Sequence, residues 1–205
     1  MPHEIQYIKN IVADPTPLGL FGLAMVTLVA SSQKLGFTSG LSLVLPWAIF
    51  LGAFVQLIAS LFDFKHNNIF GATAFGAYAF FWFGVAFSWL VKMGVFGDIL
   101  SAQADAKQLG IAFVGYLIFT LFMTIGAIET NKVLLAIFIL IDLLFIGLIG
   151  DVFALFAGAH TLAAYSELGI ALFSFYGAGA ILLNKHFGTL FLPVGQPLGV
   201  FKSLK

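Results

Sequence analysis

The sequence predicts an all-α integral membrane protein with six spanning helices. Two observations carry this expectation. Of the 205 residues, 61% are hydrophobic and only 9% are charged, whereas a soluble domain is about half apolar and about a quarter charged. The apolar residues also gather into six runs close to the ~20 residues a helix needs to cross the hydrocarbon core. The 25 Phe and 22 Gly suit helices that meet lipid on one side and each other on the other.

Residues 1–17 form a polar segment with no apolar core followed by a cleavage site, so it does not read as a cleaved signal peptide. It ends in Asp14-Pro15-Thr16-Pro17-Leu18-Gly19-Leu20. The two prolines hold the chain extended, and Pro17 suits the first helical position, where no intrahelical N–H is needed. The free N–H groups around Leu18, Gly19 and Leu20 carry partial positive charge and can receive a small anion. The same residues equally make a rigid start to a membrane helix.

The expected spans are Leu18–Gln33, Leu41–Phe62, Ile69–Val91, Leu109–Ile128, Val133–Gly150 and Thr161–Leu183. Residues 18–183 are thus one six-helix transmembrane domain, and 184–205 form a C-terminal tail. The longest polar link runs from Lys92 to Gln108, and the link over 151–160 is mostly apolar, suited to the membrane surface. Six spans put both ends on one side. Lys9, Lys65, Lys132, Lys185, Lys202 and Lys205 then share that side, against Lys34, Lys92 and Lys107 opposite. The excess places both termini in the cytoplasm. Ala72 with Gly76, Gly84 with Ser88, and the run Gly177 to Ala180 read as helix-packing faces.

Polar groups within the spans carry the functional information, because hydrocarbon tolerates them only where they face protein or water. Asp142 stands in the middle of the fifth span. It is either a proton-exchanging group beside a permeation path or a neutral acid bonded to a neighbouring helix. Gln56, deep in the second span, suits a passing carboxylate or an interhelical hydrogen bond. Thr73 and Tyr78 open the third span, where Tyr78 offers a ring to a narrow pore and a hydroxyl to a substrate. Glu167 lies near a membrane interface. Asp63, Lys65, His66, Asn67 and Asn68 form a polar turn at a pore mouth.

The sequence excludes other classes. It has no Cys, so disulfides and thiolate metal sites are out. All nine basic residues are Lys, which removes the bidentate clamp that Arg gives phosphate or dicarboxylate. A net charge of zero offers no field to attract nucleic acid. No P-loop, G-x-S-x-G or H-E-x-x-H occurs. The histidines at 3, 66, 160 and 186 are too scattered in sequence for a metal cluster. Neither an enzyme, a metal site nor a cofactor is expected.

Several stretches together resemble a known family. The first is Asp14-Pro15-Thr16-Pro17-Leu18-Gly19-Leu20. The second is Asn68-Ile69-Phe70-Gly71-Ala72-Thr73-Ala74-Phe75-Gly76-Ala77-Tyr78 followed by Phe81-Trp82. The others are Lys132-Val133-Leu134, and Leu183-Asn184, Phe187-Gly188 and Leu192-Pro193-Val194-Gly195. In order and spacing they resemble the acetate uptake transporter family, the succinate–acetate/proton symporters of bacteria and archaea with fungal relatives. The resemblance implies six helices and one pore per protomer, a homohexamer, and transport of acetate and in some members succinate, by proton symport or channel-like passage. It also implies a hydrophobic gate at positions matching Leu23, Tyr78 and Ile141, of which only Tyr78 keeps the family residue. Asp14 replaces the family Asn, and Thr189 stands where Arg is common. Asp142 stands where a small hydroxyl residue occurs in a relative, so no family role passes to it.

The mechanism expected from these readings is passage of a small carboxylate through a cell membrane, coupled to protons or by passive anion flow. Leu18, Gly19, Leu20, Phe70 and Gly71 would offer backbone N–H groups, Gln56 and Thr73 side-chain hydrogen bonds, and Leu23, Tyr78 and Ile141 a dry gate. Asp142, next to Ile141, is the candidate for proton coupling. A non-transporting membrane scaffold is the expectation from a different class.

Overall fold

The computed structural model of the protein describes residues 12–201. Six long apolar helices are present among them: α1 (Thr16–Lys34), α2 (Leu45–Lys65), α3 (Ile69–Lys92), α5 (Ala106–Ala127), α6 (Lys132–Val152) and α7 (Ala159–Phe187). A short helix, α4 (Asp98–Ala102), interrupts the expected polar link between α3 and α5. The six long helices are those that the sequence predicts, each long and apolar enough to cross a membrane.

Local chemistry sets the helix starts. Asp14 Oδ1 accepts from the Thr16 N–H at 2.9 Å, opening α1 two residues earlier than expected and leaving Pro17 inside its first turn. Asn68, Asp105 and Asn131 cap α3, α5 and α6, their Oδ1 atoms accepting from the N–H groups of Gly71, Lys107 and Leu134. Such caps each contribute about 1 kcal/mol. Gly158 and Gly188, with φ of +86° and +66°, bracket α7 in left-handed geometry. That helix has 29 residues and passes the expected end at Leu183 to reach Phe187. Pro46 moves the start of the second span from the expected Leu41 to Leu45, since proline is tolerated only in a first turn.

One irregularity has no counterpart in the sequence pattern. The middle of α2, Ala48–Val55, winds as a π-helix that ends at Gln56. Wide turns of this kind re-aim the residues that follow them and gather at functional sites.

The helices close into a ring. α1 packs between α7 and α2, α3 packs on α2, and α6 packs between α5 and α7. Aromatic rings connect α3 to α6: Phe70 to Phe138 at 5.5 Å and Phe81 to Phe145 at 5.3 Å between centroids. At Gly147 a Cβ would stand 2.6 Å from the backbone nitrogen of Ala163, so only glycine permits the close approach of α6 and α7 there. Ala72 and Ala180 are fully buried, as expected of packing positions. Gly84 is a correction: it is exposed, with open space around it, and packs on nothing within the protomer.

The two ends of the bundle differ. At one, the C-terminal segment folds back across the α5–α6 junction, with Val133 N–H on Val194 O at 3.1 Å and Leu198 N–H on Ile128 O at 3.0 Å. At the other, Lys34 Nζ meets Glu167 Oε2 at 2.8 Å, and His160 reaches both Asp151 and the Lys34 carbonyl. Glu167 is buried, in an ion pair with the last residue of α1 that ties α1 to α7.

Candidate functional site

A cavity of about 70 Å³ lies between α1, α2, α3 and α6. Its lining residues recur at one helical face on three helices. They are Thr16, Leu20 and Leu23 on α1, Gly71, Ala74, Phe75 and Tyr78 on α3, and Leu134, Ile137, Phe138 and Ile141 on α6. Steps of three and four keep such residues on one stripe. From Thr16 to Leu23, Gly71 to Tyr78 and Leu134 to Ile141 the stripe covers seven residue steps, roughly 10 Å of rise. The three helices run parallel with their N-termini at the same end. Leu23, Tyr78 and Ile141 therefore share one depth, two turns in.

The wall is apolar apart from a few oriented groups. Gln56, directly after the π-helical turns, is fully buried. Its Nε2 donates to the Gly52 carbonyl at 2.7 Å. A carbonyl accepts but cannot donate, so this bond fixes which end of the amide is which. Gln56 Oε1 then stands buried with no protein partner, on a residue that borders the cavity. Tyr78 is also committed. Thr120 Oγ1 gives its only proton to the Tyr116 carbonyl at 2.7 Å, so in the 2.9 Å contact between Tyr78 and Thr120 the tyrosine is the donor. Tyr78 presents its ring to the cavity and its hydroxyl to α5.

The structure separates the residues expected at a pore. Leu20, Leu23, Gln56, Phe70, Gly71, Tyr78 and Ile141 all line the cavity. Leu18 does not: it is exposed. The Gly19 N–H donates to the Pro15 carbonyl at 3.1 Å and is not free for an anion. The Gly71 N–H is likewise taken by its cap, Asn68. These donors differ from the expectation because α1 starts earlier and both helix starts carry their own side-chain acceptors. Thr73 is exposed on the outer face of α3 and lies outside the cavity. Asp142 follows Ile141 by about 100° of helical turn, which aims it at α5. There Thr124 Oγ1 donates to its Oδ2 at 2.7 Å, while Oδ1 is buried without a partner.

Sequence reasoning missed Thr16, Ala74, Phe75, Leu134, Ile137 and Phe138 as wall residues. Their three-and-four spacing around Tyr78 and Ile141 was the available signal. In helices apolar on every side, that spacing does not stand out.

Six apolar membrane-length helices, with a narrow uncharged cavity between four of them, mark the class of membrane transport proteins. The chain belongs to the GPR1/FUN34/yaaH family, whose model matches residues 1–196. It is 33% identical over 187 residues to the succinate-acetate/proton symporter SatP of Escherichia coli K12, covering 90% of this chain and 96% of that one. It is 29% identical over 143 residues to acetate permease A of Emericella nidulans, covering 65% of this chain and 47% of the relative. The fold matches the structure of the bacterial acetate channel SatP with a TM-score of 0.83 and 31% identity, over 90% of this chain and all of that one.

Proposed function

We propose that the protein carries acetate and similar small monocarboxylates across a cell membrane, and that the proton travels on the substrate. The observation that carries this reading is the chemistry of the cavity wall. Among the described lining residues none is acidic or basic, and the buried acceptor Gln56 Oε1 lacks a donor. An amide oxygen pairs with the O–H of a carboxylic acid and repels a carboxylate. The apolar ring of Leu23, Tyr78 and Ile141 strongly favours the neutral acid over the bare anion. Proton-coupled uptake then needs no titrating side chain in the path. The partners in this reading are the small carboxylate, protons, the lipid bilayer and further copies of the chain in a homohexamer. The membrane is the plasma or inner membrane, with both termini cytoplasmic, as the lysine distribution supports.

A second reading of the same path is a passive acetate channel. The uncharged wall favours it as well, since nothing there obliges coupling. Uptake of labelled acetate into proteoliposomes, with and without an inward proton gradient, separates the two. Accumulation above equilibrium that requires the gradient supports symport. Equilibration at a gradient-independent rate supports the channel. Absence of uptake for acetate, formate and succinate alike would remove both.

A further inference from the structure

Beside the cavity mouth, Asp14 converges with Asp63 and His66, which stand on the last turn of α2. Donor atoms of Asp14, Asp63 and His66 lie within 4.8 Å of one another. Asp14 precedes α1, Asp63 stands in the last turns of α2, and His66 ends that helix. Asp63 lies three residues before His66, and the fold adds Asp14 from the start of α1.

The cluster is more than a set of neighbouring acids. Asp63 is fully buried. Its Oδ1 accepts from Asn68 Nδ2 at 3.0 Å, but its Oδ2 is buried with no hydrogen-bond partner. That oxygen presses on Gly71 where any Cβ would collide with it, so the fold reserves the space it occupies. A buried carboxylate oxygen left bare is energetically costly unless a proton or a cation meets it. Asp14 and His66 are both exposed and line an outer pocket. Asp14 keeps only Oδ1 on the Thr16 N–H.

We propose that Asp14, Asp63 and His66 form a divalent-cation site that takes Zn²⁺ at the cytoplasmic mouth of the path. Two carboxylate oxygens and one imidazole nitrogen make a mixed set that zinc accepts, whereas Mg²⁺ prefers oxygen alone. Ligands of a tetrahedral zinc, each about 2.1 Å from the metal, lie roughly 3.4 Å apart. Rotation of the two exposed side chains closes that difference. Three protein ligands leave the fourth position to water or a small carboxylate. Thr16, Asn68 and Gly71, next to the cluster, line the cavity itself, so the ion also removes negative charge from the place where an anion must arrive.

The test is calorimetric titration of the full-length protein in detergent with Zn²⁺, in excess Mg²⁺. It reads binding alone and does not depend on any transport assay. The expected result is one Zn²⁺ per protomer, bound at least tenfold more weakly in Asp14→Asn and in His66→Gln. Asp63→Asn behaves likewise where it folds, and the two exposed variants decide the matter where it does not. His3→Gln, His160→Gln and His186→Gln leave the affinity unchanged. No binding, unchanged affinity in both Asp14→Asn and His66→Gln, or loss of binding in a variant of one of the other histidines would each overturn the site.

Discussion

The phenolic hydroxyl of Tyr78 donates to Thr120 Oγ1 at 2.9 Å, and Thr120 passes its own proton to the carbonyl of Tyr116. This chain runs away from the cavity into α5. It holds the Tyr78 ring at the depth of Leu23 and Ile141 while removing its hydroxyl from contact with a substrate.

Tyr78→Phe therefore keeps acetate flux within about twofold of the unaltered protein. It lowers stability by about 1 kcal/mol, the usual worth of one such bond. Tyr78→Ala removes the ring and widens the gate, so flux of larger carboxylates rises relative to acetate. Flux in proteoliposomes and thermal unfolding in detergent report the two effects separately. A large loss of flux in Tyr78→Phe would mean that the hydroxyl touches substrate.

Gln56→Leu keeps the bulk of the side chain and deletes the only buried, unpartnered side-chain acceptor among the described residues that border the cavity. One neutral hydrogen bond contributes about 1 kcal/mol, so acetate flux falls about fivefold. A flux unaffected by this change would remove Gln56 from the path and leave it as a brace on Gly52.

Asp142→Asn retains an oxygen for Thr124 and removes the charge. Because Asp142 faces α5 and not the cavity, the dependence of uptake on external pH stays as in the unaltered protein. A flattened pH profile would return Asp142 to the coupling scheme, through a route that bypasses the wall of the cavity.

Lys34, partly buried, pairs with the buried Glu167 at the end opposite Asp14, Asp63 and His66. Lys34→Met alone strands the Glu167 carboxylate and destabilises the bundle by about 3–5 kcal/mol. The double variant Lys34→Met, Glu167→Leu recovers most of that loss, because no charge remains buried. Thermal unfolding of the single and double variants measures the coupling. Additive losses would show that the pair does not act as a unit.

The sequence by itself determined the six spans and their approximate limits, because the bilayer demands long apolar runs and forbids unsatisfied backbone between them. The motif-level likeness also placed Leu23, Tyr78 and Ile141 together, and they do share one cavity. Tertiary structure alone decided which way each polar group points. In a helix apolar on every side, a shift of one residue turns a side chain by about 100°, and hydropathy does not record it. So Ile141 faces the cavity while Asp142 faces Thr124, and Thr73 faces outward while Ala74 lines the wall. The partner of Glu167 and the approach of Asp14 to Asp63 and His66 depend on contacts between residues distant in the chain. Composition fixes that a residue must find a partner within the membrane, and only the packed bundle selects which one.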